Sequence, residues 1–142
     1  MFLATNSGPF LLKEESITGT GISLRVLHIS DIHFAPNQAK KADFLKQLAE
    51  LEPDLVVNTG DNLGHSMAIN PLLQAIEPLL EFSGVFVNGS NDYSSPAISN
   101  PLRYLAGPSK VKLRPRDLDT ARMVREFEGA GWLNLNNQAG QL

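Results

Sequence analysis

Four short apolar runs, separated by stretches with helical spacing, constrain the fold of this chain more than any other feature. Residues 24–30, 54–59, 84–88 and 132–136 are rich in Leu, Ile and Val and read as strands. Residues 39–51 set Phe44, Leu45, Leu48 and Leu51 at helical spacing, with Pro53 just past the stop. Residues 69–82 repeat the pattern, with Pro71 in the first turn and Gly84 beyond the end. Residues 117–129 read as a third helix, with Leu118, Met123, Val124 and Phe127 on one side. Strand–helix alternation of this kind implies a largely parallel sheet joined by right-handed crossovers. The predicted fold class is α/β.

The 142 residues are one domain's worth of protein, enough for a core. Hydrophobic residues at 42% and charged residues at 19% exclude a disordered tail. A net charge of −3 gives no global positive field to draw the chain to nucleic acid. With no cysteine there is no disulfide framework, thiolate nucleophile or cysteine-ligated metal. No apolar run approaches the roughly 18 to 20 residues that cross a bilayer. Asn6 and Pro9 interrupt the apolar start and no cationic stretch precedes it, so no signal peptide is expected, and a cytoplasmic domain is. Residues 1–23 read as a lead-in to a domain that begins at residue 24, and residues 93–109, with Pro96, Pro101 and Pro108, as loop.

Chemistry collects where strands end. The first three runs lead directly into Asp31-Ile32-His33, Gly60-Asp61-Asn62 and Ser90-Asn91-Asp92. In an open parallel sheet, ligands bind beyond the carboxyl ends of the strands, so neighbouring strands would gather these clusters at one edge. Carboxylates, an imidazole and an amide oxygen form a mixed N/O set suited to a divalent ion of the Mn, Fe, Zn or Mg type. Asp31 and His33, two apart, leave the same face of an extended segment. Asp61 can bridge two ions and Asn91 can offer an oxygen to the second; two metals about 3.5–4 Å apart hold and polarise a phosphoryl group. Gly60 and Gly89 suit close backbone approach at such a site.

Ser30-Asp31-Ile32-His33, Thr59-Gly60-Asp61-Asn62 and Gly89-Ser90-Asn91-Asp92-Tyr93 resemble the first three signatures of the calcineurin-like metallophosphoesterases: Asp-x-His, Gly-Asp and Gly-Asn-His-Asp/Glu. The resemblance implies the N-terminal half of an α/β/β/α sandwich and hydrolysis of phosphomonoesters or phosphodiesters. It implies two divalent ions (Mn, Fe or Zn) and direct attack on phosphorus by a metal-bound hydroxide. Asp31 and His33 would bind the first ion, Asp61 would bridge, and Asn91 would bind the second.

Two departures qualify it. The third signature lacks its histidine, which allows two registers: Asn91 as ligand with Asp92 in the histidine's place, or Ser90 and Asn91 in the two positions. The first is preferred, because an amide oxygen is a better ligand than a neutral hydroxyl, and it makes Asp92 a candidate acid/base group. The family also completes its site with later histidines, whereas the three here are His28, His33 and His65. The chain is therefore expected to be an N-terminal portion of the domain, with the C-terminal part missing and little activity alone. The alternative is a binding or scaffolding domain of the same fold without turnover. A nucleotide-binding doubly wound domain is weaker, since neither Gly-x-Gly-x-x-Gly nor a Gly-Lys-Ser/Thr loop is present.

Each motif also has a plain structural reading, as a strand-end turn or cap. Only their ordered combination points to a metal site. Asn62 and His65 are candidate substrate contacts, His65 doubling as an ordinary loop histidine. His28, within the first strand, reads as a core or ligand-supporting histidine, and Asn58 and Asn88 as structural or ligand-supporting groups. Lys110, Lys112, Arg114 and Arg116 would share one face of an extended segment. That is either edge protection or a basic rim for an anionic phosphoester or membrane surface.

Overall fold

The computed structural model describes residues 9–94 and 118–141. Four strands, β1 (Val26–Ile29), β2 (Leu55–Asn58), β3 (Gly84–Phe86) and β4 (Leu133–Asn134), pair in parallel in the order β1-β2-β3-β4. Three helices alternate with them: α1 (Ala39–Gln47), α2 (Ile69–Ile76) and α3 (Thr120–Gly129). This is the expected α/β alternation, and each strand lies inside its predicted run.

The helices end for identifiable reasons. After α1 a 3-10 turn, Leu48–Leu51, leads to Glu52 at φ 47°, followed by Pro53. The second helical stretch is not one α-helix to Phe82 as expected. It becomes a 3-10 turn at Glu77–Glu81, where Pro78 lacks the N–H that would bond back to Gln74. Asp119 caps α3, its side chain accepting the Arg122 N–H at 3.1 Å.

Burial alternates along the strands and separates the two faces of the sheet. Leu27, Ile29, Val56 and Phe86 are buried. They join one core with Leu45 and Leu48, with Leu72, Ile76 and Leu79, and with Met123, Phe127 and Trp132 of the α3–β4 unit. Each crossover steps to the next strand on the same side, which stacks the helices on one face. Phe127 meets Phe86 edge-on at 5.1 Å and Trp132 at 5.3 Å. Gly84 is required beneath Trp132, since a Cβ there would run into the indole ring.

The opposite face carries the row His28, Val57, Val85 and Leu133, exposed or half-buried. His28 is thus neither a core nor a buried supporting group: it stands on this open face with Nε2 2.8 Å from Thr59 Oγ1. Residues 9–25 form no strand or helix, and Phe10 stacks on Phe44 at 5.3 Å. The predicted basic face at Lys110, Lys112, Arg114 and Arg116 lies outside the described residues, as do residues 95–109 of the predicted loop. Among the described residues no helix is long and apolar enough to cross a membrane.

Candidate metal centre

The segments after β1, β2 and β3 leave the sheet at one edge, as parallel pairing of consecutive strands demands. The first two lie alongside each other. The N–H groups of Asp31, His33 and Phe34 donate to the carbonyls of Gly60, Asp61 and Asn62 at 3.0, 3.0 and 2.8 Å, and Phe34 bridges in parallel to Leu63. This pairing holds Asp31, His33 and Asp61 at φ 52°, 43° and 55°, the left-handed region that non-glycine residues seldom occupy. The extended segment expected for Asp31 and His33 is therefore not found. Strained backbone of this kind is retained where surrounding structure enforces it, and it gathers at functional sites.

The result is a convergent donor set. Asp31, His33 and Asp61 each offer one ligand atom, and these atoms lie within 4.8 Å of one another. Asp31 Oδ1 stands 3.7 Å from His33 Nε2, with side chains 66% and 38% exposed, so the cluster opens to solvent. Two carboxylates this close attract a cation, and the nitrogen and oxygen donors without sulfur suit a divalent ion. Ser30 Oγ donates to Asp31 Oδ2 at 2.5 Å.

Asn91 joins this set through Asp61. Its backbone N–H donates to Asp61 Oδ1 at 2.9 Å and its Nδ2 to Asp61 Oδ2 at 2.8 Å. The loops touch closely enough to exclude side chains. A Cβ on Gly60 would meet the Gly89 nitrogen, and one on Gly89 would meet the Asp61 carboxylate. The close approach expected of these glycines is thus between the loops themselves.

Asp92 and Asn62 are placed otherwise than the sequence suggests. Asp92 is 0% exposed, and its two carboxylate oxygens accept the amides of Asn62, Leu63 and Gly89 and the Asn62 side chain. Burial pushes its carboxyl above the ordinary carboxylate value, against the pull of the Gly89, Leu63 and Asn62 amides. All four bonds to this carboxylate come from N–H groups of Asn62, Leu63 and Gly89. Asn62 is likewise 0% exposed, with Oδ1 accepting from Asn58 Nδ2 at 2.7 Å. His65 is half-buried, and its Nδ1 accepts the Met67 N–H at 3.1 Å. Its loop does border the cluster, since a Cβ on the preceding Gly64 would lie 2.5 Å from the His33 carbonyl oxygen.

Two further groups escaped the sequence reading. Lys41 is 7% exposed, and its Nζ donates at 2.8 Å to the carbonyl of Ile32, between Asp31 and His33. Burial pulls its pKa below the ordinary lysine value. Its spacing from Leu45 and Leu48 on one helical face was the available signal. Asn136, just past β4, accepts the Asn88 N–H at 2.9 Å and ties the last strand to the same edge. The Asn88 Nδ2 donates to the Tyr93 hydroxyl at 3.2 Å, while its buried Oδ1 has no hydrogen-bond partner among the described residues.

Comparison with curated proteins and with solved structures gives no significant match. Comparison with family models matches residues 24–138 to the calcineurin-like phosphoesterases, a family that generally uses divalent metals. With the three acidic and histidine ligand atoms converging at the carboxyl edge of a parallel sheet, this chain belongs to the calcineurin-like phosphoesterase family.

Proposed function

We propose that the chain carries the metal-binding edge of a phosphoester hydrolase, with Asp31, His33 and Asp61 as ligands of a divalent ion. A second ion, where bound, would be held by Asp61 together with the side-chain oxygen of Asn91. The observation that carries this reading is the approach of three ligand atoms, from two loops about thirty residues apart, to within 4.8 Å. A divalent ion held there supplies Lewis acidity toward a phosphoryl oxygen and acidifies a water.

The chain's own groups prepare for that cargo. Each carboxylate oxygen has two acceptor sites, so Asp61 can hold Asn91 and still face a cation. Asn91 directs Nδ2 to Asp61, which leaves Oδ1 as its donor atom for an ion. Asp31, the most exposed of the three, turns an oxygen toward solvent, where an anionic phosphoester would approach.

The test is a calorimetric titration of the full chain with Mn²⁺, paired with hydrolysis of an aryl phosphodiester and an aryl phosphomonoester. Saturable binding that Asp61→Asn removes supports the ligand set. Saturation at a hundredfold excess over Kd adds about 2.7 kcal/mol of stability. A wild type that binds no Mn²⁺, cleaves neither ester and behaves as Asp61→Asn does sinks the reading.

Two observations favour a second reading, a domain that binds metal and phosphoester without turnover. The third motif has no histidine, and Asp92 is closed off by its amide bonds. Mn²⁺ binding without hydrolysis of either ester would select it.

A further inference from the structure

We infer that Asp92 is a positioning residue whose carboxylate latches the loop carrying Asp61 to the loop carrying Asn91, setting that pair before any ion binds. The inference rests on the reading of Asp61 and Asn91 as metal ligands.

One side chain spans both loops. Asp92 Oδ1 accepts the N–H groups of Asn62 at 2.7 Å and Leu63 at 3.0 Å, the two residues that follow Asp61. Asp92 Oδ2 accepts the N–H of Gly89 at 2.9 Å, two residues before Asn91, and Asn62 Nδ2 at 3.3 Å. Asp61 returns the connection by accepting twice from Asn91. The two loops are therefore laced in both directions, each by a carboxylate of the other.

The latch is itself anchored. Asn58 Nδ2 donates to Asn62 Oδ1, and Asn58 Oδ1 accepts the Gly60 N–H at 2.9 Å, so the network reaches back to β2. On the far side the Thr120 hydroxyl donates at 2.5 Å to the Asp92 carbonyl, fixing it to the start of α3. Asn58, Asn62 and Asp92 are 1%, 0% and 0% exposed, so water does not substitute for a lost bond.

The donor count explains why a carboxylate stands here. Four N–H groups converge on two oxygens, and among side chains of this size only ionised aspartate accepts at both ends and donates at neither. Asp92→Asn keeps the shape but turns an NH₂ against at least one backbone amide. The loops part, and Asp61 and Asn91 lose their register although neither has been changed. Groups that orient metal ligands without touching the metal typically alter affinity on the order of 10- to 100-fold when removed.

The experiment compares wild type, Asp92→Asn, the milder Thr120→Val, and a core control, Ile76→Val, used at temperatures giving equal fractions folded. Amide hydrogen exchange on the metal-free proteins and Mn²⁺ titration are both measured. The expected result is lost protection at Asn62, Leu63 and Gly89 in Asp92→Asn, and Mn²⁺ affinity lower by about 10-fold or more. Thr120→Val is expected to shift both readouts the same way by less, and Ile76→Val to shift neither. If Asp92→Asn does not fold, the Thr120→Val comparison decides by the same criteria. Wild-type affinity in Asp92→Asn, or an equal loss in Ile76→Val, overturns this inference and leaves the ligand assignment standing. A wild type that takes up no Mn²⁺ overturns both.

Discussion

Asn91 meets Asp61 through two hydrogen bonds, backbone N–H to Oδ1 at 2.9 Å and Nδ2 to Oδ2 at 2.8 Å, although about thirty residues separate them in sequence. The carboxylate is therefore oriented by the very residue proposed to share its second ion. Both side chains are half-buried, where such bonds are screened less than at the surface.

Asp61→Asn is expected to damage both binding and folding. An amide at position 61 turns one NH₂ toward a donor of Asn91, leaving a half-buried polar group without its bond. A stability loss of about 1–3 kcal/mol is expected. Chemical denaturation and Mn²⁺ calorimetry, run side by side, would detect the two losses, and an unchanged denaturation midpoint would contradict the first.

His33 separates function from stability. At φ 43° any side chain is strained, and the imidazole Nε2 stands 3.7 Å from Asp31 Oδ1, beyond hydrogen-bond reach. His33→Gly and His33→Ala should lose Mn²⁺ affinity alike, with the glycine variant more stable than the alanine by about 1 kcal/mol. Thermal unfolding of the pair checks this; an alanine variant as stable as the glycine one would refute it.

Gly60 has no tolerance for a side chain. At φ 91° it packs where a Cβ would meet the Gly89 backbone. Gly60→Ala is expected to cost about 2–5 kcal/mol, combining the left-handed penalty with overpacking. A fall of less than about 1 kcal/mol in urea denaturation would show that the loops separate easily.

Lys41 predicts a pH dependence. Burial lowers its pKa in the folded chain, so the unfolded chain holds that proton more tightly. Between the folded pKa and the unfolded value of 10.5 the unfolded state binds more protons, and stability from this group rises with pH. The Tm difference between wild type and Lys41→Met should therefore move in favour of wild type as pH climbs from 7 toward about 10. A difference that stays flat or moves the other way would rule it out.

The strands and helices were legible in the sequence because each is written in neighbouring residues. Period-two burial in β1 and β2 and the 3.6-residue stripe of Leu72, Ile76 and Leu79 need only local chain geometry. Parallel order followed from the alternation, and with it the edge at which Asp31, Asp61 and Asn91 emerge. Tertiary structure decided what those residues became. Asp31 and His33 are forced out of extended geometry by hydrogen bonds to Gly60 and Asp61. Asp92 reads as an acid/base candidate and Asn62 as a substrate contact, yet folding buries them against each other, the Asp92 carboxylate accepting from the amides of Asn62, Leu63 and Gly89. Lys41 drew no reading from the sequence, because only folding sets its Nζ beside the carbonyl of Ile32. Periodicity is a property of adjacent positions, whereas the burial of a polar group depends on partners that only folding brings within bonding distance.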